Sequence, residues 1–259
     1  FRSDAMSKAL HAGHAAEVGV RAGQGAAHGI TGVPDILEGK VGFGAALAED
    51  PDWAVAVDGL GQRYNILSIT QKNHGCCGHT FAAIDAALAL RQQGLCANDV
   101  AALRVDAYQT SLDVTGNFSP NTAFEAKFSL PYVVAHALVH GSVRLDAFSP
   151  DRLRDPQVRK LMQRLELRAD PAFTAGFPRM RAARLTVTTT AGQVLEHHSP
   201  FRKGDPESPL SDADLADKFD ELAGPVLGRA RARALREDVW RLDTMPVRAL
   251  RLAADMPRL

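Results

Sequence analysis

The sequence predicts an α+β fold, and three observations carry that expectation. The N-terminal stretch is alanine-rich with apolar residues at helical spacing. The centre mixes helical periods with a half-buried strand period and a hairpin, and the C-terminal part returns to helical spacing. No internal repeat or low-complexity stretch interrupts this order.

From Asp4 to about Gln24, Leu10, His14 and Val18 recur on one stripe, which predicts a helix. Gly13, Gly19 and Gly23 each weaken such a helix by roughly 1 kcal/mol relative to Ala, so a close neighbour at the backbone is expected there. Gly29, Thr31, Gly32 and Pro34 break the pattern. A short helix at Ile36 and Leu37 and another from Phe43 to Ala48 follow, ending at the Asp50, Pro51, Asp52 turn. A short run with Ile66 and Ile69 leads into a loop from Lys72 to Gly78. Thr80 stands at an N-cap position, and Phe81, Ile84, Ala87, Leu88 and Leu90 predict a helix that Gly94 stops. Leu103 to Tyr108 alternates as a half-buried strand does. Phe128 to Leu138 reads as a buried helix with Pro131 in its first turn and Gly141 at its end. Asp151 to Leu165 reads as one charged amphipathic helix. The β-branched run Ala183 to Thr190 turns at Ala191 and Gly192 into Val194 to His198, the mark of a hairpin. Ser211 and Asp214 form a capping box opening a helix to Ala223, and Val226 to Ala254 reads as helical with its arginines on the wet face.

The 259 residues are 46% hydrophobic and 23% charged, with 30 Lys and Arg against 30 Asp and Glu. This ordinary composition argues against nucleic acid or acidic membranes as partners, while leaving room for a local basic pocket around a small polyanion. Cys76 and Cys77 are adjacent and poorly disposed to bridge each other, and Cys96 is the third cysteine, so no disulfide scaffold is expected. No apolar run reaches the roughly 20 residues that span a bilayer, and no signal peptide is legible, which makes cytoplasm the expected location. The chain opens on Phe1 at the edge of a helix, so residues preceding it are expected.

Reactive side chains concentrate in the loop before the Thr80 helix: Lys72, His74, Cys76, Cys77 and His79. Free N–H groups at a helix N-terminus suit a carboxylate, a cation reinforces that field, and the same field lowers a thiol's pKa. The alternative is a structural loop whose cysteines are buried as small hydrophobes. A zinc site is disfavoured because adjacent cysteines without a CxxC pair lack the usual ligand spacing. Lys8, His11 and His14 share one side of the opening helix and offer a second cationic face, or simply a surface lysine with packed histidines. Glu125, Lys127, Ser129 and Tyr132 lead into the buried helix and mark its exposed start, or, since Lys127 opposes the macrodipole, a place where that lysine meets a partner or an anion. His136 and His140 read as packing residues, and His197 and His198 lie on opposite strand faces.

At this point the residues resemble a known family, the MmgE/PrpD group that includes 2-methylcitrate dehydratase and cis-aconitate decarboxylase. Five stretches carry the resemblance in order: residues 7–32, 71–90, 123–141, 155–167 and 203–219. The resemblance implies that residues 1–62 are part of a large all-helical domain and residues 63–200 an α+β domain of the family's C-terminal type. Residues 201–259 would be C-terminal helices packing back on the helical domain. It further implies a homodimer, no metal or organic cofactor, and a hydro-lyase acting on a methylcitrate-like di- or tricarboxylate. Lys8 and Lys72 match family lysines. Cys77 falls where the decarboxylase branch carries a histidine and Thr110 where it carries a tyrosine, which weakens the decarboxylase reading.

The expected catalytic groups are therefore Lys72, His79, His11 and Cys77, with Lys8, His74, Thr110 and Lys127 binding substrate. Lysines would stabilise the charge that develops when a proton leaves the carbon α to a carboxylate, and a histidine would move the proton. An epimerase or decarboxylase working through the same carbanion is the nearest alternative, and a non-catalytic dimerisation scaffold is an alternative of another class.

Overall fold

The structure, a computed structural model, describes residues 7–246 and 249, without the side chains of Lys8 and Ala9. Contacts divide the chain into two units, residues 1–68 and 69–259.

In the first unit the alanine-rich stretch forms α1, Ser7–Ala27, and α2 and α3 are the single-turn pieces Phe43–Leu47 and Trp53–Val57. Asp52 caps α3 by accepting from the N–H groups of Ala54 and Val55. Ile36 and Leu37 form a turn and not the expected helix, because Pro34 and Gly39 leave too few residues between them to close successive helical bonds. The close neighbour expected at Gly13, Gly19 and Gly23 is absent among the described residues, where nothing would meet a Cβ within 4 Å.

The second unit is built on a four-stranded sheet of order β2-β1-β3-β4. Its strands are β1, Val100–Ala107; β2, Leu165–Ala169; β3, Ala183–Thr189; and β4, Val194–Ser199. β1 runs parallel to β2 and antiparallel to β3, and β3 and β4 are the expected hairpin. Alternation decides which face is buried: Leu185 and Val187 are fully buried, while Arg184 and Thr186 look out beside Arg104 and Glu196. Helix α4, Phe81–Gln92, lies against β3 and β4, and α7, Leu130–His140, packs on α4. Phe81, Ile84, Leu90, Val105, Val133 and Leu138 meet in this core, each at 1% exposure or less, and burial of such side chains stabilises by roughly 2 kcal/mol apiece.

The short helices α5, Gln109–Thr115, and α6, Ala123–Ala126, connect β1 to α7. The helix expected over residues 151–165 is two helices, α8, Pro150–Leu153, and α9, Pro156–Met162, followed by β2. Pro156 cannot continue a helix from the residues before it. Asp155 instead caps the new one, accepting from the N–H groups of Gln157 and Val158. α10, Pro171–Gly176, follows β2. α11, Asp212–Leu227, opens on the Ser211 and Asp214 capping box, and α12, Arg229–Val239, follows a break at Gly228. The expected helix to Ala254 ends at Val239, and its last residues lie outside the described ones. No helix of the described residues is long and apolar enough to cross a membrane.

His136 is fully buried on α7, with Nδ1 paired to the Ser142 carbonyl and Nε2 without a partner. Burial pulls its pKa from 6.5 down to about 4, outweighing the bond to Ser142. Between those values the unfolded chain binds a proton that the folded chain refuses, so stability falls as pH drops from 6.5 towards 4. Replacing the ring with a non-titrating Gln should remove this dependence. Denaturant titrations at the two ends of that window should show the stability difference between wild type and His136→Gln shrinking by on the order of 3 kcal/mol at the acidic end.

Candidate functional site

The loop from Thr70 to Thr80 is held from four sides. Gln71 N–H donates to the Gly204 carbonyl at 2.8 Å, Gly75 N–H to Val143 at 3.0 Å, and Cys77 N–H to Lys127 at 2.9 Å. Asp85 on α4 completes the set. Its Oδ1 is bonded to His74 Nε2 at 2.9 Å and its Oδ2 accepts from Lys203 N–H at 2.8 Å. The loop then closes in a 3-10 turn, Gly78–Thr80, whose last residue holds the N-cap position of α4 as the sequence suggested but makes no side-chain capping bond. Thr80 adopts a helical conformation, and its hydroxyl turns back to donate to the Cys77 carbonyl.

This clamp sorts the reactive side chains. His74 is 4% exposed, bonded to Asp85 and edge-on to Phe81, so its ring is committed to the interior. Cys76 is also buried, and burial pushes its thiol up to about 12 against the opposing bond from Thr80. The thiolate-favouring field expected at this helix mouth therefore loses to desolvation at Cys76. Cys77 and His79 are half-buried and point elsewhere. His79 Nδ1 lies 2.6 Å from the phenolic oxygen of Tyr108, just beyond the end of β1, and Ser111 on α5 donates to the His79 carbonyl. Phe177 stacks on Tyr108 at 4.8 Å and Arg181 stands over the Phe177 ring at 5.6 Å.

Burial and two arginines set the electrostatics. Burial first, then the charges of Arg181 and Arg202, hold the His79 pKa below the ordinary histidine value. Burial also pushes the Tyr108 phenol up to about 12, although the same two charges pull it down. Both partners are thus neutral near pH 7. Their shared bond has two states: the phenol donates to Nδ1 and leaves Nε2–H as a donor, or Nδ1–H donates to the phenol and leaves Nε2 as a base. The couple can give or take a proton and is itself uncharged at rest.

The remaining expected residues sit as follows. Lys72 is exposed, with its ammonium 3.5 Å from the Cys76 carbonyl and its own carbonyl accepting from Lys218 on α11 at 2.6 Å. Thr110 is half-buried in the first turn of α5, two residues beyond Tyr108. Lys127 supports the Cys77 N–H through its carbonyl, while its ammonium stands over the Phe148 ring at 5.6 Å. Lys8 and His11 belong to α1 of the first unit; His11 is exposed, and the Lys8 side chain lies outside the described residues.

Sequence reasoning missed Tyr108, Arg181, Arg202 and Asp85. Tyr108 was legible as the last residue of a strand, and Arg202 immediately precedes the 203–219 stretch, but nothing local links either to His79. Gly204, in that same stretch, has φ +104, and a Cβ there would lie 1.9 Å from the Gln71 carbonyl oxygen. Gly204→Ala is expected to cost roughly 3 kcal/mol or more by strain and by loss of the 71–204 pairing, measured by denaturant unfolding.

A loop that sets a neutral imidazole, a phenol and a half-buried thiol at the end of a sheet suits acid–base chemistry on a small molecule. The chain belongs to the MmgE/PrpD family: the family model for the MmgE/PrpD C-terminal domain matches residues 74–244. It is 26% identical over 247 residues to cis-aconitate decarboxylase of Mus musculus, and 25% identical over 246 residues to that of Homo sapiens. These matches cover 93% of this chain and 50% and 51% of the relatives, so the chain spans about half their length. A cis-aconitate decarboxylase-like protein, oryM, of Aspergillus oryzae is 26% identical over 200 residues, covering 71% of this chain and 40% of its own.

Proposed function

We propose that this chain supplies the acid–base half of a lyase acting on a small di- or tricarboxylate. The observation that carries the reading is the 2.6 Å pair of His79 and Tyr108. Family membership and the relatives' names support a lyase of this class. His79 takes the proton from the carbon α to a carboxylate. The electron pair spreads onto that carboxylate, where the Lys72 ammonium neutralises it. A hydroxyl on the neighbouring carbon then leaves as water with the proton handed on by the His79 imidazolium, which gives an unsaturated acid and restores neutral His79. Dehydration of a methylcitrate-like acid is the preferred reaction, because Cys77 and Thr110 replace the histidine and tyrosine of the decarboxylase pattern. Decarboxylation is the second reading, favoured by the relatives' names; there the C–C bond breaks, CO2 leaves with the bonding pair staying on carbon, and the same couple gives a proton to that carbanion and is reprotonated from water. Lys127 is proposed to add positive charge for a further carboxylate, and His74 to position the loop.

The test is product analysis on the protein that carries this chain. Incubation with 2-methylcitrate should raise the absorbance of a conjugated acid without release of CO2. Release of CO2 from cis-aconitate with no dehydration would establish the second reading instead. Deuterium uptake at the α-carbon without unsaturation would replace both with an epimerase.

Two substitutions examine the residues. His79→Gln should lower kcat by roughly 10²-fold or more, in line with the loss of one acid–base group. Lys72→Ala should lower kcat/KM by a similar factor while leaving the thermal midpoint unchanged, since an exposed loop lysine contributes little packing.

A further inference from the structure

Arg202 is 9% exposed and is gripped along one edge. Its Nε donates to Asp205 Oδ2 at 3.0 Å, and its Nη2 donates to Asp205 Oδ1 and to Thr70 Oγ1, both at 2.6 Å. Burial alone would raise the Asp205 carboxyl, but these bonds outweigh it and hold that group below the ordinary carboxylate range. The pair is therefore a fixed ion pair at working pH, and it fixes the guanidinium plane. Nη1, on the other edge, is turned to the catalytic loop: a Cβ on Gly78 would lie 3.1 Å from it. Gly78 is thus the residue whose missing side chain leaves that donor edge open, next to His79.

Arg181 lies in the segment between α10 and β3. No carboxylate pairs with it among the described residues, and its contact is with the face of Phe177, which in turn stacks on Tyr108. The charges of both arginines reach both His79 and Tyr108. Two guanidinium groups against the single Asp205 carboxylate leave a net positive charge beside a neutral acid–base couple. Arginine's planar fork is matched to a carboxylate, which it can hold by two charge-assisted bonds.

We propose that Arg181 and the Nη1 edge of Arg202, with Gly78 as the clearance between them and the loop, form a carboxylate subsite over the His79–Tyr108 couple. This rests on the lyase reading. It adds that the substrate carries a second carboxylate, separate from the one at Lys72, and that this subsite orients the reacting carbon on His79. Arg181 and Arg202 are then substrate-binding residues, and Asp205 and Thr70 are positioning residues that act through Arg202.

Calorimetric binding of tricarballylate, a saturated tricarboxylate that cannot react, tests the subsite without relying on turnover. Its monoamide serves as the comparison. Wild type should bind the tricarboxylate about tenfold more tightly than the monoamide, as the loss of one charge-assisted pair implies. Arg181→Gln should weaken tricarballylate binding by about tenfold and abolish that preference with an unchanged thermal midpoint, and Gly78→Ala, whose Cβ would press on Nη1, should weaken binding by a similar factor. Arg202→Lys should do the same, although loss of the Asp205 grip can also lower its stability, so the first two variants decide. Wild type that binds tricarballylate, with Arg181→Gln and Gly78→Ala binding equally well, would overturn the subsite and leave the lyase reading standing. Wild type that fails to bind any polycarboxylate would overturn both.

Discussion

Asp85 is the constraint from which the site follows. One carboxylate on the first turns of α4 meets His74 Nε2 with one oxygen and the Lys203 N–H with the other. A helix, the loop preceding it and a turn more than a hundred residues further along are thereby fixed to a single group. The neighbouring Gln71 and Gly204 bond and the Arg202, Asp205 and Thr70 cluster extend the same joint. Buried charges tied in this way contribute little net stability compared with apolar packing, and losing one partner is costly, so the joint specifies geometry more than it adds stability. What it specifies is which loop side chains turn inwards. His74 and Cys76 are taken into the interior, and His79 and Cys77 are left at the surface of the site.

The fold was legible wherever local chemistry and burial agree. α4 and the β3–β4 hairpin announce themselves by periodicity and by their Gly stops, and the Ser211 capping box forms as read. β2 was not legible. Its five residues carry charges at Glu166 and Arg168, continue directly from an amphipathic run, and become a strand through parallel pairing with β1, a contact made across more than fifty residues. Pro156 gave a local signal for the break between α8 and α9, but the charged pattern around it imitates one continuous helix.

The site divides in the same way. A dense run of Lys, His and Cys before a helix is visible in one dimension, and so are the stretches containing Lys127 and Gly204 that hold it. Which histidine faces the chemistry is not visible, because His74 and His79 differ only in what lies opposite them: Asp85 in one case, Tyr108 in the other. The field at a helix mouth also misled for Cys76, where desolvation outweighs any local positive charge. Tyr108, Arg181 and Arg202 come from three separate segments, and only the fold brings Tyr108 to the His79 ring and the two charges within reach of it.

The His79–Tyr108 couple is most directly examined by imidazole NMR of protein labelled with 13C and 15N at histidine, comparing wild type with Tyr108→Phe. His79 is expected to stay neutral through pH 7, to titrate with a midpoint below 6.5, and to change its tautomer balance when the phenol is removed. A midpoint at or above 6.5, with the same tautomer balance in both proteins, would contradict a neutral couple held by that bond.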